Sequence, residues 1–308
     1  MMKGGLTHEP VLLEEVLAFL KEGLAGGVGR PRILDGTLGL GGYSEALLRE
    51  FPEAEVVGLD RDPDALSLAE ARLRGYGPRF RALHGNFGRM GGIFRGTPPF
   101  NAFVFDLGVS NMQLTEGERG FSFQNDGPLD MRMDPREGVP TAAEVLASRS
   151  AEELAGIFRD YGEERYSHRI ASQIAAHRER GGRLDTTGQL VTLIRDILPA
   201  PVQRKMGGHP ARRVFQALRI CVNDELGELE SMLDALPGMS AEGCVVVIVS
   251  YHSLEDRIVK HRFRSWWKEQ GRGAVLTRHP VQPREEEMER NHKARSAKLR
   301  AFLFKSNS

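Results

Sequence analysis

One segment defines the architecture of this chain: Ile33-Leu34-Asp35-Gly36-Thr37-Leu38-Gly39-Leu40-Gly41-Gly42-Tyr43-Ser44. It begins with a short apolar run that predicts a buried strand, continues through an acidic residue into a glycine-rich turn, and ends at Ser44, which we predict to cap the next helix. Strand, glycine loop and helix in this order are typical of a doubly wound sheet that binds a nucleotide-like ligand. Gly39, Gly41 and Gly42 lack a Cβ, so the backbone there can turn sharply and a ligand can lie against it.

The loop and the residues around it favour one cofactor class. A dinucleotide fingerprint requires a third glycine where this chain has Ser44, so that pattern fails. An acidic residue directly before the loop, as Asp35 is, suits S-adenosylmethionine, whose methionine end carries an ammonium group. Residues 54–60 predict a second strand that ends in Asp60, about 20 residues after the loop, where a carboxylate usually binds ribose hydroxyls. The alternative is an ordinary strand–helix turn with a surface aspartate, and the spacing favours a nucleoside cofactor.

Length and composition are those of an ordinary globular protein. The 308 residues suffice for one large domain or two smaller ones, and 40% hydrophobic with 27% charged residues predict a soluble chain. No apolar run is long enough to cross a membrane, and residues 1–8 lack the apolar core of a signal peptide. Cys221 and Cys244 are far apart and lack metal-ligand spacing, so we predict two reduced, buried thiols in a cytoplasmic protein.

Charge is unevenly distributed, although the net charge is zero. Residues 257–308 contain 14 Lys and Arg against 5 Asp and Glu, a net of +9, so residues 1–256 carry −9. Segregation of this kind predicts a polyanionic partner that is bound by one face. A solvated C-terminal tail is the alternative, but the aromatic and apolar residues in this segment argue against simple disorder.

Two further strands end in candidate ligand contacts. Residues 80–84 predict a short third strand, and Phe87, in the turn that follows, either faces an adenine or packs in the core. Residues 100–106 predict a buried fourth strand that ends in Asp106. Ligands of open α/β folds bind at the carboxyl ends of strands, and a carboxylate there is costly unless it has a partner. We therefore favour a functional role for Asp106 over simple packing.

The pattern changes after the fourth strand. Residues 119–134 form an aperiodic loop that is either a substrate loop or a domain junction. From 141 to about 223 helical periodicity dominates, with capped helix starts at Thr141 and Ser150. Further helices are predicted over 166–178, 190–198 and 212–226. No strand is evident, so this region is interpreted as a helical insertion inside an α/β domain.

The sheet resumes at residues 243–250, a β-branched run typical of a strand buried on both faces. It places Tyr251 and His252 at the same sheet edge as Asp106. His252 is a candidate general base, although a lone histidine is more often structural. Closing strands are predicted at 273–277 and 301–304. Basic residues in the loop 291–300 between them suggest salt-dependent phosphate contacts.

The chain contains several long and chemically unusual motifs. They are His8-x-Pro10-Val11-Leu12-Leu13-x-Glu15-Val16, Asp35-Gly36-Thr37-Leu38-Gly39-x-Gly41-Gly42, Asp106-Leu107-Gly108-Val109-Ser110, Arg119-Gly120-Phe121-Ser122-Phe123, Pro128-Leu129-Asp130-Met131-Arg132-Met133, Phe215-Gln216-Ala217-Leu218-Arg219-Ile220, Ser250-Tyr251-His252-Ser253-Leu254-Glu255-Asp256-Arg257 and Arg295-Ser296-Ala297-Lys298-Leu299-Arg300. Together, over nearly the whole chain, they resemble the bacterial 16S ribosomal RNA cytosine N4-methyltransferases known as RsmH or MraW. The chain departs from that family at Tyr43, where members usually carry His, and at Arg212 and Val214, where they are richer in Thr.

The resemblance implies a class I S-adenosylmethionine-dependent methyltransferase, in which a Rossmann-like α/β sheet carries an inserted all-helical substrate domain. The implied boundaries are 1–113 with 223–308 for the methyltransferase domain and 114–222 for the insertion. The implied contacts of S-adenosylmethionine are Gly41, Gly42, Tyr43, Asp60, Phe87, Asp106 and Gln113. The implied partner is 16S ribosomal RNA, within the small ribosomal subunit, and the target is a cytosine of the decoding centre. No membrane partner is expected, and a homodimer is left open.

The exocyclic amine of cytosine is a poor nucleophile, because its lone pair is delocalised into the ring. A hydrogen-bond acceptor would help to localise that lone pair and take the departing proton; Asp106 and the backbone carbonyls of Leu107 and Gly108 are the candidates. Residues predicted to stack on a splayed base are Phe121, Phe123 and Tyr251. Residues predicted to contact the RNA backbone are Arg132, Arg213, Arg219, Lys298 and Arg300. No metal is expected. Two alternatives stay open: an amino-methyltransferase that acts on DNA or another RNA, and a non-catalytic assembly or regulatory protein that binds S-adenosylmethionine.

Overall fold

The computed structural model describes residues 10–26, 29–206 and 208–305, and the chain forms two compact units. One unit contains the described residues of Met1–Gly108 and Leu226–Ser308, and the other is Val109–Glu225. Residues 1–9 lie outside the described residues. They include His8, the first residue of the first family motif, and the segment in which no signal peptide is predicted. None of the helices in the described part of the chain combines the length and hydropathy that a membrane-spanning helix needs.

The first unit is built on a seven-stranded sheet. Its strands are β1 (Arg32–Asp35), β2 (Glu55–Asp60), β3 (Phe80–His84), β4 (Phe100–Asp106), β5 (Ser240–Ser250), β6 (Gly273–Val275) and β7 (Lys298–Phe304). The order is β3-β2-β1-β4-β5-β7-β6; β1 to β5 are parallel, and β7 is antiparallel to both of its neighbours. The strand order reverses between β1 and β4, which makes that point the expected ligand site of an open α/β sheet.

Helices of both units are named here in chain order. They are α1 (Leu13–Leu24), α2 (Gly42–Glu50), α3 (Pro63–Leu73), α4 (Met90–Ile93), α5 (Asn111–Thr115), α6 (Ala142–Ser148), α7 (Ala151–Asp160), α8 (Ser167–Glu179), α9 (Thr187–Ile197), α10 (Ala200–Lys205), α11 (Arg212–Asn223), α12 (Glu225–Met239), α13 (Ser253–Lys268) and α14 (Glu285–Arg290). The predicted helix over 212–226 is wrong at its end, because Asp224 adopts the left-handed conformation and closes α11 at Asn223. The sequence analysis missed α12 altogether.

Both faces of the central sheet are buried, as the apolar runs of the strands predict. Successive residues of β1 alternate between two cores: Ile33 packs in one with Leu47 of α2, and Leu34 packs in the other with Leu233 of α12. The strands therefore have little freedom to slip, because a shift of one residue would exchange the two faces. Only the ends of the strands remain for ligand contacts.

The second unit is helical, with its own apolar core. Thr141 and Ser150 cap α6 and α7 through capping boxes with Glu144 and Glu153, as predicted. Within the described residues of this unit, the β-pairing is confined to a single isolated bridge between Pro128 and Thr186. Its helices bury their apolar faces against one another, so it does not need the sheet to complete a core.

Three local predictions are wrong. Ser44 does not cap α2: the cap position is Gly41, and Ser44 is buried inside the helix. Residues 298–300 are not part of a loop but the start of β7, which pairs with β5. Cys221 and Cys244 are both free thiols, as predicted, but only Cys244 is fully buried.

Two neighbouring tryptophans offer a matched test of the core. Trp266, 2% exposed, packs against the rings of Phe302 and Phe304, with ring centroids 5.3 and 5.2 Å away, whereas Trp267 is 49% exposed. Trp266→Ala should lower the free energy of unfolding by about 3–5 kcal/mol. Trp267→Ala should change it by less than about 0.5 kcal/mol. Chemical denaturation of both variants measures the difference, and equal losses would contradict the packing described here.

Candidate active site

Three aspartates end adjacent strands at one edge of the sheet. Asp35 closes β1, Asp60 closes β2 and Asp106 closes β4, and these strands are neighbours in the order β2-β1-β4. Because parallel strands present their carboxyl ends at the same edge, the three side chains meet at the point where the strand order reverses. The sequence analysis predicted this edge from the apolar runs and their acidic ends.

Asp60 organises the glycine loop. Its Oδ2 accepts a hydrogen bond from the amide of Gly39 at 2.7 Å, and its Oδ1 accepts one from the amide of Asp62 at 2.9 Å. Gly39 and Gly41 have φ of +50° and +79°, as the turn requires, while Gly42 already belongs to α2. Burial raises the pKa of the Asp60 carboxyl above its ordinary value. Each oxygen keeps a further lone pair, so the carboxylate can still accept ligand hydroxyls.

Asp35 lies beneath the loop, fully buried. Its Oδ2 accepts a hydrogen bond from the Ser44 hydroxyl at 2.7 Å, and its Oδ1 accepts one from the Thr37 amide at 3.3 Å. Burial raises the pKa of this carboxyl to about 7, against the lowering effect of the two hydrogen bonds. Asp35 is therefore only partly ionised near pH 7, and it offers no exposed oxygen to a ligand. The hydroxyl of Ser44, predicted to cap a helix, is used here instead.

Tyr43 offers a ligand its backbone more than its side chain. Its ring is buried in the core below the loop, and its hydroxyl donates a hydrogen bond to the carbonyl of Val11. Burial raises the pKa of this phenol well above its usual range, so the hydroxyl stays protonated as a donor. The side chain thus links the start of α2 to the segment before α1.

Asp106 is the centre of a cluster that the sequence analysis found only in part. Its Oδ1 accepts a hydrogen bond from the hydroxyl of Tyr251 at 2.5 Å, and its Oδ2 lies 3.3 Å from the Nζ of Lys293. The same Nζ lies 4.5 Å from the centre of the Tyr251 ring, and the Asp106 amide donates to the hydroxyl of Thr37 at 2.6 Å. Lys293 is 187 residues from Asp106 along the chain. No local motif joins the two, and only the return of β7 to the sheet brings them together.

Two other predicted residues at this edge have clear local roles. Phe87 follows the Asn86 cap of a short 3₁₀ turn after β3, and its half-buried ring packs edge-on against Phe105, 6.3 Å away. His252 caps α13: its Nδ1 accepts from the Glu255 amide at 3.4 Å, and its Nε2 lies 3.2 Å from Glu255 Oε1. These contacts give His252 the structural role that we judged commoner for a lone histidine.

Arg300 does not fit the predicted contact with the RNA backbone. It is 6% exposed on β7, and its guanidinium donates to both carboxylate oxygens of Asp256, at 2.6 and 3.2 Å. An arginine held in this way has no free fork for a phosphate. Lys298 is half-buried at the start of the same strand, and its Nζ lies 3.7 Å from Asp256. The fold uses both cations to hold α13 against β7.

In the second unit the predicted aromatic residues divide. Phe121 is 6% exposed and belongs to the apolar core, so its ring offers little surface on which a base could stack. Phe123 is half-buried, and its ring stacks on His209 with centroids 4.6 Å apart. Gln113 is buried, and its side chain accepts from the Ser110 amide at 3.0 Å in a capping box at the start of α5. It is thus a helix cap in this unit.

The predicted arginines of the second unit also differ in availability. Arg132 donates to both oxygens of Asp130, at 2.8 and 2.7 Å, and Arg219 is paired in the same way with Glu225. Arg213 is exposed and donates one hydrogen bond of 2.7 Å to the carbonyl of Glu163. Because its remaining donors face outward, Arg213 keeps the most hydrogen-bonding capacity for a phosphate among the three.

The residues at the strand edge fit S-adenosylmethionine. The sulfonium and ammonium groups of this cofactor are cationic, and two carboxyl groups lie at the switch point: Asp35, whose pKa burial raises to about 7, and Asp106, which is paired with Lys293. Asp60 ends β2 at the same edge, and a carboxylate there can accept hydrogen bonds from hydroxyl groups. The parallel sheet with an antiparallel β7 between β5 and β6, together with this edge, defines a class I S-adenosylmethionine-dependent methyltransferase.

Comparison with known proteins agrees with this class. The profile of the MraW methylase family matches residues 5–305, and the chain belongs to that family. Three relatives are each named Ribosomal RNA small subunit methyltransferase H. The protein from Nocardioides sp. is 48% identical over 264 residues, which cover 84% of this chain and 80% of that protein. The proteins from Heliobacterium modesticaldum and Cyanothece sp. are 43% and 45% identical, covering 96% and 95% of this chain and 97% and 93% of their own lengths.

Asp35 should make folding stability depend on pH. Because its pKa is raised to about 7 in the folded state, the folded chain holds a proton that the unfolded chain has lost between about pH 4 and 7. Stability from this group is complete below pH 4 and falls as pH rises, by at most about 1.4 kcal/mol per pH unit. Asp35→Asn should therefore reduce the pH dependence of the free energy of unfolding between pH 5 and 7.5, as measured by denaturant titration at several pH values. Ser44→Ala, which keeps the carboxyl, should retain the dependence; an unchanged slope in Asp35→Asn would contradict the assignment.

Proposed function

We propose that this chain transfers a methyl group from S-adenosylmethionine to the exocyclic N4 of a cytosine in the decoding centre of 16S ribosomal RNA. The observation that carries the proposal is the cluster of Asp106, Tyr251 and Lys293 beside the cofactor edge, where a hydrogen-bond acceptor for an amine is held in place. The names of the relatives, which refer to the RNA of the small ribosomal subunit, support the substrate class. The choice of cytosine as the target base and of N4 as the target atom comes from the resemblance of the sequence motifs to the cytosine N4-methyltransferases.

The chemical difficulty lies in the acceptor. S-adenosylmethionine supplies an activated methyl group, but the cytosine amine must turn its lone pair out of conjugation. Holding the reacting atoms in line can contribute roughly 7–11 kcal/mol to lowering a barrier of this kind. The work of the protein is therefore chiefly to fix the base and to give the amine hydrogens an acceptor.

Asp106 is suited to accept a hydrogen bond from the amine. A carboxylate has about four lone-pair sites, and Tyr251 and Lys293 engage one on each oxygen. The two donors fix the rotation of the carboxylate, and the remaining sites can receive an amine hydrogen. The backbone carbonyls of Leu107 and Gly108 are the other candidates, and φ of +86° at Gly108 turns the chain sharply at this point.

The two units suggest a division of roles. We assign cofactor binding to the methyltransferase domain, for which the motifs imply residues 1–113 with 223–308, and RNA recognition to the helical insertion, 114–222. The compact units divide a few residues away, after Gly108 and after Glu225. The proposed cofactor residues of this domain are Gly41, Gly42, Tyr43, Asp60, Phe87 and Asp106; Gln113, which the family resemblance also implies, caps α5 in the second unit. In the insertion, Arg213 has exposed donors and Phe123 a half-buried ring, which suit a phosphate and a base. A ribosomal substrate would place the protein in the cytoplasm.

The identity of the product tests the proposal directly. Purified protein should methylate 16S ribosomal RNA from labelled S-adenosylmethionine, and mass spectrometry of the digested RNA should show N4-methylcytidine. Assembled small subunits, naked 16S RNA and DNA would be compared as substrates. Methylation of DNA alone would favour the DNA amino-methyltransferase. Binding of the cofactor without turnover on any of the three would favour a non-catalytic role.

Asp106 and Asp60 should differ in their kinetic effects. Asp106→Ala should lower kcat by roughly 100-fold, the lower range for a lost acid–base or acceptor group, and should also raise KM for S-adenosylmethionine, because Asp106 is among the proposed cofactor contacts. Asp60→Ala should mainly raise KM for S-adenosylmethionine, because the loop amide of Gly39 and the ribose lose their acceptor. Lys293→Met should lower kcat by a smaller factor, since Asp106 keeps its bond from Tyr251. Methylation by Asp106→Ala at a near-normal rate would show that the assigned role is wrong.

A further inference from the structure

Helix α13 has two chemically distinct faces. Val259, Phe263 and Trp266 recur at helical spacing and are buried against the sheet. The opposite side carries Lys260, His261, Arg264, Trp267 and Lys268, all of them exposed. We call these five residues the basic stripe. With 3.6 residues per turn, the five positions fall within about 120° of the helix circumference, so they lie along one side of the helix.

The cations of the stripe are not used to hold the fold. Within the described residues, Lys260 and Arg264 form neither an ion pair nor a side-chain hydrogen bond. Arg262, which lies off the stripe, is instead paired with Asp234 of α12. Lys298 and Arg300, by contrast, form ion pairs with Asp256. The stripe therefore presents positive charge that the chain itself leaves available.

An exposed tryptophan lies among these charges. Trp267 is 49% exposed, and the Nζ of Lys268 lies 5.1 Å from the centre of its ring. A surface that combines cations with an open aromatic face is the chemistry of nucleic-acid binding: the cations meet phosphates, and a base or sugar packs on the ring. A solvated helix face requires the charges but gives no reason for the tryptophan.

We propose that the basic stripe binds the phosphate backbone of the substrate RNA outside the target nucleotide, with Trp267 packing on an exposed base. The inference rests on the proposed function, since it takes the same RNA as its partner. Helix α13 begins two residues after Tyr251, whose hydroxyl touches Asp106. At a rise of 1.5 Å per residue, Lys260 and Lys268 lie about 10 and 22 Å along the helix from its start. The stripe thus contacts RNA flanking the site and leaves the chemistry to the strand edge.

Charge removal tests the phosphate contacts. The variant Lys260→Gln/Arg264→Gln should weaken binding of naked 16S ribosomal RNA about fivefold or more near physiological salt. The slope of log affinity against log salt should fall by about 1.4–1.8, as expected for two lost phosphate contacts. The matched control Arg74→Gln/Arg95→Gln removes the same charge from exposed positions off the helix. The control should leave the slope unchanged, and kcat at saturating substrate should be the same in all three proteins.

Fluorescence tests the aromatic contact. Trp266 is buried and Trp267 is exposed. RNA that packs on Trp267 should therefore quench its fluorescence and shift its emission maximum, and should leave the emission of Trp266 unchanged. The change should disappear in Trp267→Phe, which keeps a ring that can still stack. An RNA-independent spectrum in the native protein would overturn the assignment of Trp267.

The failures of the two proposals are distinguishable. If the native protein methylates no RNA, the proposed function fails. If it methylates RNA and the Lys260→Gln/Arg264→Gln variant matches the control in affinity and salt slope, the basic stripe is a solvated face and this inference fails. A rise in KM on assembled subunits with unchanged affinity for naked RNA would assign the stripe to a ribosomal protein and would equally overturn it.

Discussion

The hydrogen bond from the Gly39 amide to the Asp60 carboxylate is the contact on which the cofactor edge depends. It joins the loop after β1 to the end of β2, and the amide of Asp62 occupies the other oxygen. Residues of two adjacent strands are thereby fixed before any ligand arrives. The same arrangement concentrates negative charge, since Asp60 and Asp106 both help to raise the pKa of Asp35. A cationic ligand relieves that repulsion, so the edge is matched in charge to a sulfonium cofactor.

Asp106 stands in a different environment from the other two aspartates. It has two side-chain donors, one neutral and one cationic, both supplied by the C-terminal part of the chain. Because β7 is antiparallel to β5, it begins at the carboxyl edge, where Lys298 lies opposite Ser250, and the segment before it delivers Lys293 there. The antiparallel strand therefore closes the sheet and also completes the cluster. Fold and site are linked through one topological feature.

Local patterns were sufficient for the parallel strands that end in aspartate, but not for the start of the antiparallel β7. The sequence predicted β3 and the ends of β2 and β4, because a buried strand is encoded by a short apolar run bounded by polar residues. It also predicted the capping boxes at Thr141 and Ser150, which depend on residues three positions apart. Lys293 was beyond such reasoning, because its partner is set by strand order. Ser44 was misassigned for a related reason: its hydroxyl bonds to Asp35 in the preceding strand, and not to its own helix.

Charge shows the same limit in the C-terminal segment. A net of +9 over residues 257–308 indicates a polyanionic partner, but the count weighs every cation equally. In the structure, Arg300 is buried against Asp256 and Lys293 is paired at the active site, so neither contributes to a surface field. Lys260 and Arg264 remain exposed on α13. What a basic segment can bind is therefore decided by which of its charges the fold has already neutralised, and Lys260 and Arg264, unpaired within the described part of the chain, lie on the same helix side as the exposed Trp267.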